Sequence, residues 1–236
     1  MRIFVDPAQL SAGELVVDGD EHHYLARVRR ARAGDAVELV DGTGRRAAAT
    51  IARITDAATT LAVAAPERVV AQPPLLRVLV PLIKGDRMDS CLEKLVEVGA
   101  DQIVVWPAAR SVVRLDAERR EARLAKFQAA AVAAARQCGR AQVPAVQLAE
   151  GLAEIVAALP ADAARFVLDP ASDAALVPGA ATDITIASGP EGGLTPGELA
   201  LLERAGFTGI GLGPRILRAE TAPVVAVAVI RAVTGS

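Results

Sequence analysis

The stretch that most constrains this chain is ITIASGPEGGLTPGELALLERAGFTGIGLGPRILRAET, Ile184 to Thr221. It twice runs from an apolar strand-like segment into a glycine-proline loop and then a helix. In the first loop, Ser188-Gly189-Pro190-Glu191-Gly192-Gly193 follows Ile184–Ala187. Glycines there permit positive φ and close approach of backbone amides to a ligand. Thr195-Pro196-Gly197-Glu198 then reads as a helix start, with Thr195 as N-cap, Pro196 as the first helical residue and Glu198 closing a capping box. Orphan amides and a positive dipole end therefore gather beside the loop. The second loop, Gly211-Leu212-Gly213-Pro214-Arg215-Ile216-Leu217-Arg218, repeats the scheme and adds two arginines. Plain βα turns account for one such loop; two so close, one of them arginine-bearing, point to a shared ligand.

Familiar phosphate motifs fit poorly. A P-loop needs a lysine that Ser188–Thr195 lacks, and Gly209-x-Gly211-x-Gly213 is only a partial dinucleotide fingerprint without a clear acidic partner downstream. The surrounding pattern alternates strand and helix. Leu75–Ile83 is a continuous apolar strand, and Met88–Val98 is a helix with Met88, Cys91, Leu92, Leu95 and Val96 on one face, closed by Gly99. Strand Ile103–Trp106, helix Ala117–Cys138, strand Val146–Leu148, helix Leu152–Leu159, strand Phe166–Leu168 and strand Ile184–Ala187 follow. Helix Pro196–Ala205, strand Gly209–Leu212 and helix Thr221–Val233, with Pro223 in its first turn, complete the series. Such alternation predicts an α/β domain with a mostly parallel sheet flanked by helices and ligands at the carboxyl ends of its strands.

The N-terminal part reads differently. Ile3–Val5, Glu14–Val17, Ala36–Val40, Arg46–Ile54 and Thr60–Ala64 are short strands, with Asp41-Gly42-Thr43-Gly44 as a hairpin turn, which predicts a small barrel. Glu21–Arg30 reads as a helix with Tyr24, Leu25 and Val28 inward. Adjacent His22 and His23 lack metal-ligand spacing and read as surface or hydrogen-bonded structural residues. Gln72-Pro73-Pro74 is the expected linker, giving domains 1–71 and 72–236.

The formal net charge of −2 over 236 residues opposes wholesale polyanion binding, so the distribution of charge matters more. Arg27, Arg29, Arg30, Arg32, Arg45 and Arg46 cluster in the N-terminal part, a basic face that is either solvated or RNA-binding. No stretch is long and apolar enough for a membrane span, and Asp6-Pro7 interrupts any signal-peptide core, so a cytoplasmic protein without a membrane partner is expected. Cys91 and Cys138 show no CxxC spacing and read as buried free thiols, with no metal site expected.

GPEGGLTPGE followed by LGPRILRAETA closely resembles the C-terminal signature of the bacterial 16S rRNA uridine-N3-methyltransferases, the ribosomal RNA small-subunit methyltransferase E family of the SPOUT superfamily. The resemblance continues through Lys84-Gly85-Asp86-Arg87-Met88, Glu97-Val98-Gly99, Arg110-Ser111-Val112-Val113, Gln137-Cys138-Gly139-Arg140 and the N-terminal EHHYLARVRR of Glu21–Arg30. It covers nearly the whole chain. It implies a PUA-like β-barrel domain binding RNA through Arg27, Arg29, Arg30 and Arg32, then a SPOUT-type knotted domain using S-adenosyl-L-methionine. The implied partners are 16S rRNA in the small ribosomal subunit and a second copy in a homodimer, with no DNA. Two positions depart from the pattern: Arg136 stands where glutamate is usual, and Ala219 where threonine is frequent.

For such a cofactor, Gly189, Pro190, Glu191, Gly192, Gly193 and Gly213 are the candidate backbone cradle, and Leu212, Ile216 and Leu217 the candidate apolar walls. Methyl transfer requires alignment and charge management rather than a metal. Uridine N3 carries a proton at neutral pH, so a cation or donor that stabilises its anion is needed. Arg215 and Arg218 are the candidates, with Glu220 a candidate base. Two other readings stand beside this one: a SPOUT enzyme acting on a ribose 2′-OH or another base, and a non-catalytic RNA-binding protein.

Overall fold

The computed structural model describes residues 1–111 and 117–235; Val112 and Val113 of the RSVV run lie outside them. The chain divides into two compact units, Met1–Val70 with Ala135–Val143, and Ala71–Ala134 with Pro144–Ser236.

The first unit contains β1 (Arg2–Phe4), β2 (Gly13–Val17), α1 (Gly19–His23), β3 (Ala36–Val40), β4 (Arg45–Ile54), β5 (Thr59–Val63) and β6 (Glu67–Arg68). Its sheet runs β1-β3-β4-β5-β2, with β6 paired to β4. Alternation drives this packing. In β4 the side chains of Ala47, Ala49 and Ile51 point inward while their neighbours face out, and they meet Ile3, Leu25, Leu39 and Leu61 in one core. The β3–β4 turn is held by Asp41, whose buried carboxylate accepts from the Thr43 amide and hydroxyl and from Arg45. Burial pushes that carboxyl up, but the Thr43 and Arg45 hydrogen bonds outweigh it and leave it below the ordinary aspartate range.

The helix expected over Glu21–Arg30 changes character after His23. Tyr24–Val28 winds as a π-helix, with the Arg29 amide bonded to the Tyr24 carbonyl at 2.8 Å. The wider winding leaves Leu25 fully buried but turns Val28 outward, 61% exposed, so Val28 is not on the inner side. The segment ends at Arg30, which adopts φ 51 where glycine is usual. His22 is structural: its ring bonds Thr59 Oγ1 at 2.9 Å and the Asp56 carbonyl at 3.3 Å.

The second unit holds β7 (Leu75–Pro81), α2 (Asp86–Glu97), β8 (Gln102–Trp106), most of α3 (Ala117–Cys138), β9 (Ala145–Leu148), α4 (Leu152–Ala157), β10 (Ala164–Leu168), β11 (Asp183–Ala187), α5 (Pro196–Arg204), β12 (Thr208–Ile210) and α6 (Ala222–Thr234). Its sheet runs β12-β10-β11-β7-β8-β9, and every pairing in it is parallel. Met88, Cys91, Leu92, Leu95 and Val96 all point from α2 into the core. Cys138 departs from expectation: it is a free thiol but exposed, on the outer side of the last turn of α3.

Polar ties sit at the amino ends of the central strands. Arg77 bonds Gln102 at 2.8 Å and pairs with Asp183 at 3.3 Å, bridging β8, β7 and β11. Arg231 of α6 reaches the carbonyls of Gly99 and Pro74 and the Asp101 carboxylate. That end of the sheet is thereby closed, and the glycine loops lie at the other. Among the described residues no helix is long and apolar enough to cross a membrane.

Candidate functional site

Three loops leave the carboxyl ends of β10, β11 and β12 and enclose a cavity of about 300 Å³. Its walls are Leu168, Ile210, Leu212, Leu194 and Leu199; backbone at Gly189, Pro190, Gly193 and Gly213 forms its edges. The volume is at the lower end of small-molecule sites, and the lining combines apolar walls with a few charged groups, namely Asp169, Glu191 and Arg215.

Local sequence explains how the first loop is held. Gly193 has φ +72 and its amide donates to the Pro190 carbonyl at 2.8 Å, a turn that glycine adopts without strain. The helix start follows the expected scheme: Thr195 Oγ1 accepts from the Glu198 amide at 3.2 Å, and Glu198 accepts from the Thr195 amide at 2.7 Å. Glu198 also accepts from the Ala109 amide at 2.8 Å, and Arg110 donates to the Gly192 carbonyl at 3.0 Å. The segment after β8 therefore braces the glycine loop. In the second loop, a Cβ on Gly211 would run into the Ser172 carbonyl oxygen, so only glycine lets the segment after β10 cross there.

Of the cofactor candidates, Gly189, Pro190, Glu191, Gly193, Leu212, Gly213, Ile216 and Leu217 all border the cavity. Gly192 does not; its carbonyl faces Arg110, and it acts on the loop from behind. Ile216 lies on the rim at 86% exposure, which rules out ordinary core packing for it. Leu168, Asp169, Pro170, Leu194 and Ile210 were not singled out in the sequence. The signal for the first three was the end of the β10 strand, since ligands of parallel sheets gather at carboxyl ends.

Arg215 lines the cavity, whereas Arg218 and Glu220 stand beside it. The Arg218 side chain is 80% exposed and approaches Glu220 at 3.9 Å. Glu220 is mostly buried and also faces Arg87 of α2 at 3.9 Å, and Arg87 in turn pairs with Glu191 at 3.0 Å. Burial, and then the Glu220 charge, push the Cys91 thiol up to about 12, so it stays protonated. Among the described residues no group of three or more His, Cys, Asp or Glu is arranged to hold a metal ion.

In the first unit the arginine cluster divides. Arg27, Arg29, Arg30 and Arg32 are exposed; Arg27 approaches Asp56 at 4.0 Å, and no ion pair engages the other three among the described residues. Arg45 and Arg46 serve the fold instead, paired with Asp41 at 2.6 Å and Glu67 at 2.7 Å. Arg136, the departure from the expected glutamate, faces Glu21 at 3.9 Å and lies over the Phe4 ring at 5.5 Å.

Residues 71–231 match the family described as an RNA methyltransferase domain, and residues 17–58 match an RNA methyltransferase PUA domain. The chain is 34% identical to ribosomal RNA small subunit methyltransferase E of Mycobacterium bovis, over 99% of this chain and 92% of that protein. It is 30% identical to the enzyme of the same name from Bacillus subtilis, over 91% and 88%. A solved ribosomal RNA small subunit methyltransferase E from Neisseria gonorrhoeae, bound to S-adenosyl methionine, superposes with TM-score 0.79 at 29% identity, covering 98% of this chain and 97% of that one. A Legionella pneumophila protein solved with bound SAM gives TM-score 0.80 at 27% identity and the same coverage.

Proposed function

Because the chain belongs to the ribosomal RNA small subunit methyltransferase E family, we propose that it methylates N3 of a specific uridine in the 16S rRNA of the small ribosomal subunit, using S-adenosylmethionine. The observation that carries this reading is the cavity at the carboxyl ends of β10, β11 and β12, walled by both glycine loops and flanked by Arg215, Arg218 and Glu220.

The residues fit the cofactor. Leu168, Ile210 and Leu212 offer apolar surface for an adenine, and the Gly189–Gly193 backbone offers amides and carbonyls for its polar edge. Glu191 is neutralised by Arg87, which leaves Asp169 as the lining carboxylate with no ion pair among the described residues, suited to hydroxyl or cationic groups. When bound, S-adenosylmethionine supplies a methyl group activated by its sulfonium. Arg215 and Arg218 favour the uracil N3 anion, and Glu220 accepts the N3 proton as the new N–C bond forms and the C–S pair stays on sulfur. Residues 1–71 serve as a PUA-like RNA-binding domain through Arg27, Arg29, Arg30 and Arg32; residues 72–236 form the SPOUT domain with its C-terminal trefoil knot. A second copy completes the site in a homodimer, a reading that rests on the family resemblance.

The test is mass spectrometry of nucleosides from small subunits of a strain lacking this protein, before and after incubation with it and S-adenosylmethionine. The expected product is 3-methyluridine. A 2′-O-methyl product transfers the protein to another SPOUT activity, and failure to bind the cofactor at millimolar concentration leaves an RNA-binding protein without chemistry.

A further inference from the structure

We propose that Arg87 is a positioning residue that ties both glycine loops to helix α2 and holds the Glu220 carboxylate in place for the incoming base. The proposal rests on the methyltransferase reading and adds a residue to its machinery. Arg87 lies in the first turn of α2, outside the cavity lining. Its Nη2 lies 3.0 Å from Glu191 Oε1 on the first loop, and its Nη1 lies 3.9 Å from Glu220 Oε2 on the second. One planar guanidinium thus spans two carboxylates from successive loops of another part of the chain, a task for which the single ammonium of lysine is poorly shaped.

The state of Glu220 gives the bridge its purpose. Both of its ion pairs, to Arg87 and to Arg218, are 3.9 Å long, beyond hydrogen-bond distance. Glu220 Oε2 is buried and has no hydrogen-bond partner. The carboxylate is therefore balanced in charge while its acceptor capacity stays open, an arrangement that normally costs stability unless a donor arrives. A uridine N3–H is a donor of the required kind, and it meets the carboxylate from the exposed Arg218 side, where Oε1 lies, while Oε2 stays sealed toward Arg87. The groups facing Glu220 are Arg87 and Cys91 of α2 and Arg218 of its own loop, with Glu191 reaching it only through Arg87. Because the Cys91 thiol stays neutral, the two arginines are the charged groups that face Glu220 directly.

Three measurements on Arg87→Ala, Arg87→Lys, Glu191→Gln and the Arg87→Ala/Glu191→Gln double variant test the bridge: cofactor affinity by calorimetry, single-turnover methylation of small subunits at saturating cofactor, and hydrogen exchange at the Gly193 amide in the ligand-free protein. Arg87→Ala is expected to weaken cofactor binding about tenfold and to speed Gly193 exchange. It should also lower the single-turnover rate at saturating cofactor, because a displaced Glu220 carboxylate no longer meets the base in register. Arg87→Lys should restore part of the saturated rate and part of the Gly193 protection, and Glu191→Gln should add little to Arg87→Ala. Unchanged Gly193 exchange and an unchanged saturated rate in Arg87→Ala overturn the proposal, as does full additivity of the two substitutions. If the wild-type protein neither binds the cofactor nor methylates, the methyltransferase reading falls, and Gly193 exchange alone then decides whether Arg87 braces the loop.

Discussion

Gly193 shows how a single backbone conformation shapes the site. A Cβ there would meet nothing within 4 Å, so the case for glycine rests on its φ of +72 and not on space. A β-branched residue in that region costs on the order of 1–3 kcal/mol, and the exposed loop escapes the strain by leaving its turn. Gly193→Val is therefore expected to raise the cofactor dissociation constant by more than about tenfold. Its far-UV circular dichroism and main unfolding transition should stay close to wild type. Calorimetry beside a thermal melt measures both, and full affinity in the variant would make the loop a turn and nothing more. Gly192 answers to a different constraint, since a Cβ there would come within 3.2 Å of Arg110 Cβ.

Among the elements, α5 joins stability to function most directly. Its capping glutamate, Glu198, accepts from Thr195 within the helix start and from the Ala109 amide across the sheet end. One side chain thus fixes where the helix begins and where the segment after β8 lies. Glu198→Ala removes the returning half of the capping box, leaving Thr195 as N-cap, and takes the acceptor from the exposed Ala109 amide, a loss of about 1 kcal/mol. For a chain of this length that corresponds to a fall in Tm of roughly 2–4 °C. Weaker cofactor binding should accompany it, because Arg110 holds the Gly192 carbonyl from the same segment. Glu198→Gln, which keeps an acceptor, should recover part of both. Differential scanning calorimetry and titration calorimetry on the two variants decide the matter, and a melt unchanged in Glu198→Ala would remove the cap from the account.

At the scale of the whole molecule, the exposed arginines and the cavity fall in different units. The first presents Arg29, Arg30 and Arg32 to solvent, and the second contains the cavity. Arg30 adopts φ 51, where glycine would relieve strain on the order of 1 kcal/mol. Replacing it tests RNA binding without harming the fold. Arg29→Ala combined with Arg30→Gly is expected to preserve or slightly raise stability and to leave cofactor affinity unchanged. It should also weaken RNA binding and reduce the salt slope by roughly one to two. Filter binding across a salt series measures this, and an unaltered slope would return these arginines to a solvated face.

The residue pattern by itself determined most of the elements. Continuous apolar runs became the buried parallel strands, the Thr195-Pro196-Gly197-Glu198 cap started α5, and alternation in Arg45–Ile54 chose the inward face of β4. These outcomes depend on neighbours in sequence, which is why they were legible. The glycine loops were legible too, because permitted φ is a property of the residue. What the tertiary structure alone decided were pairings between distant groups. Arg45 and Arg46 left the basic cluster for Asp41 and Glu67, and Arg136 found Glu21 and the Phe4 ring. Val28 turned outward when the helix widened into a π-turn, and Arg87 came to span Glu191 and Glu220. A guanidinium carries no mark in the sequence of which carboxylate it will meet. The choice is made when strands and helices pack and charges that leave water must find partners.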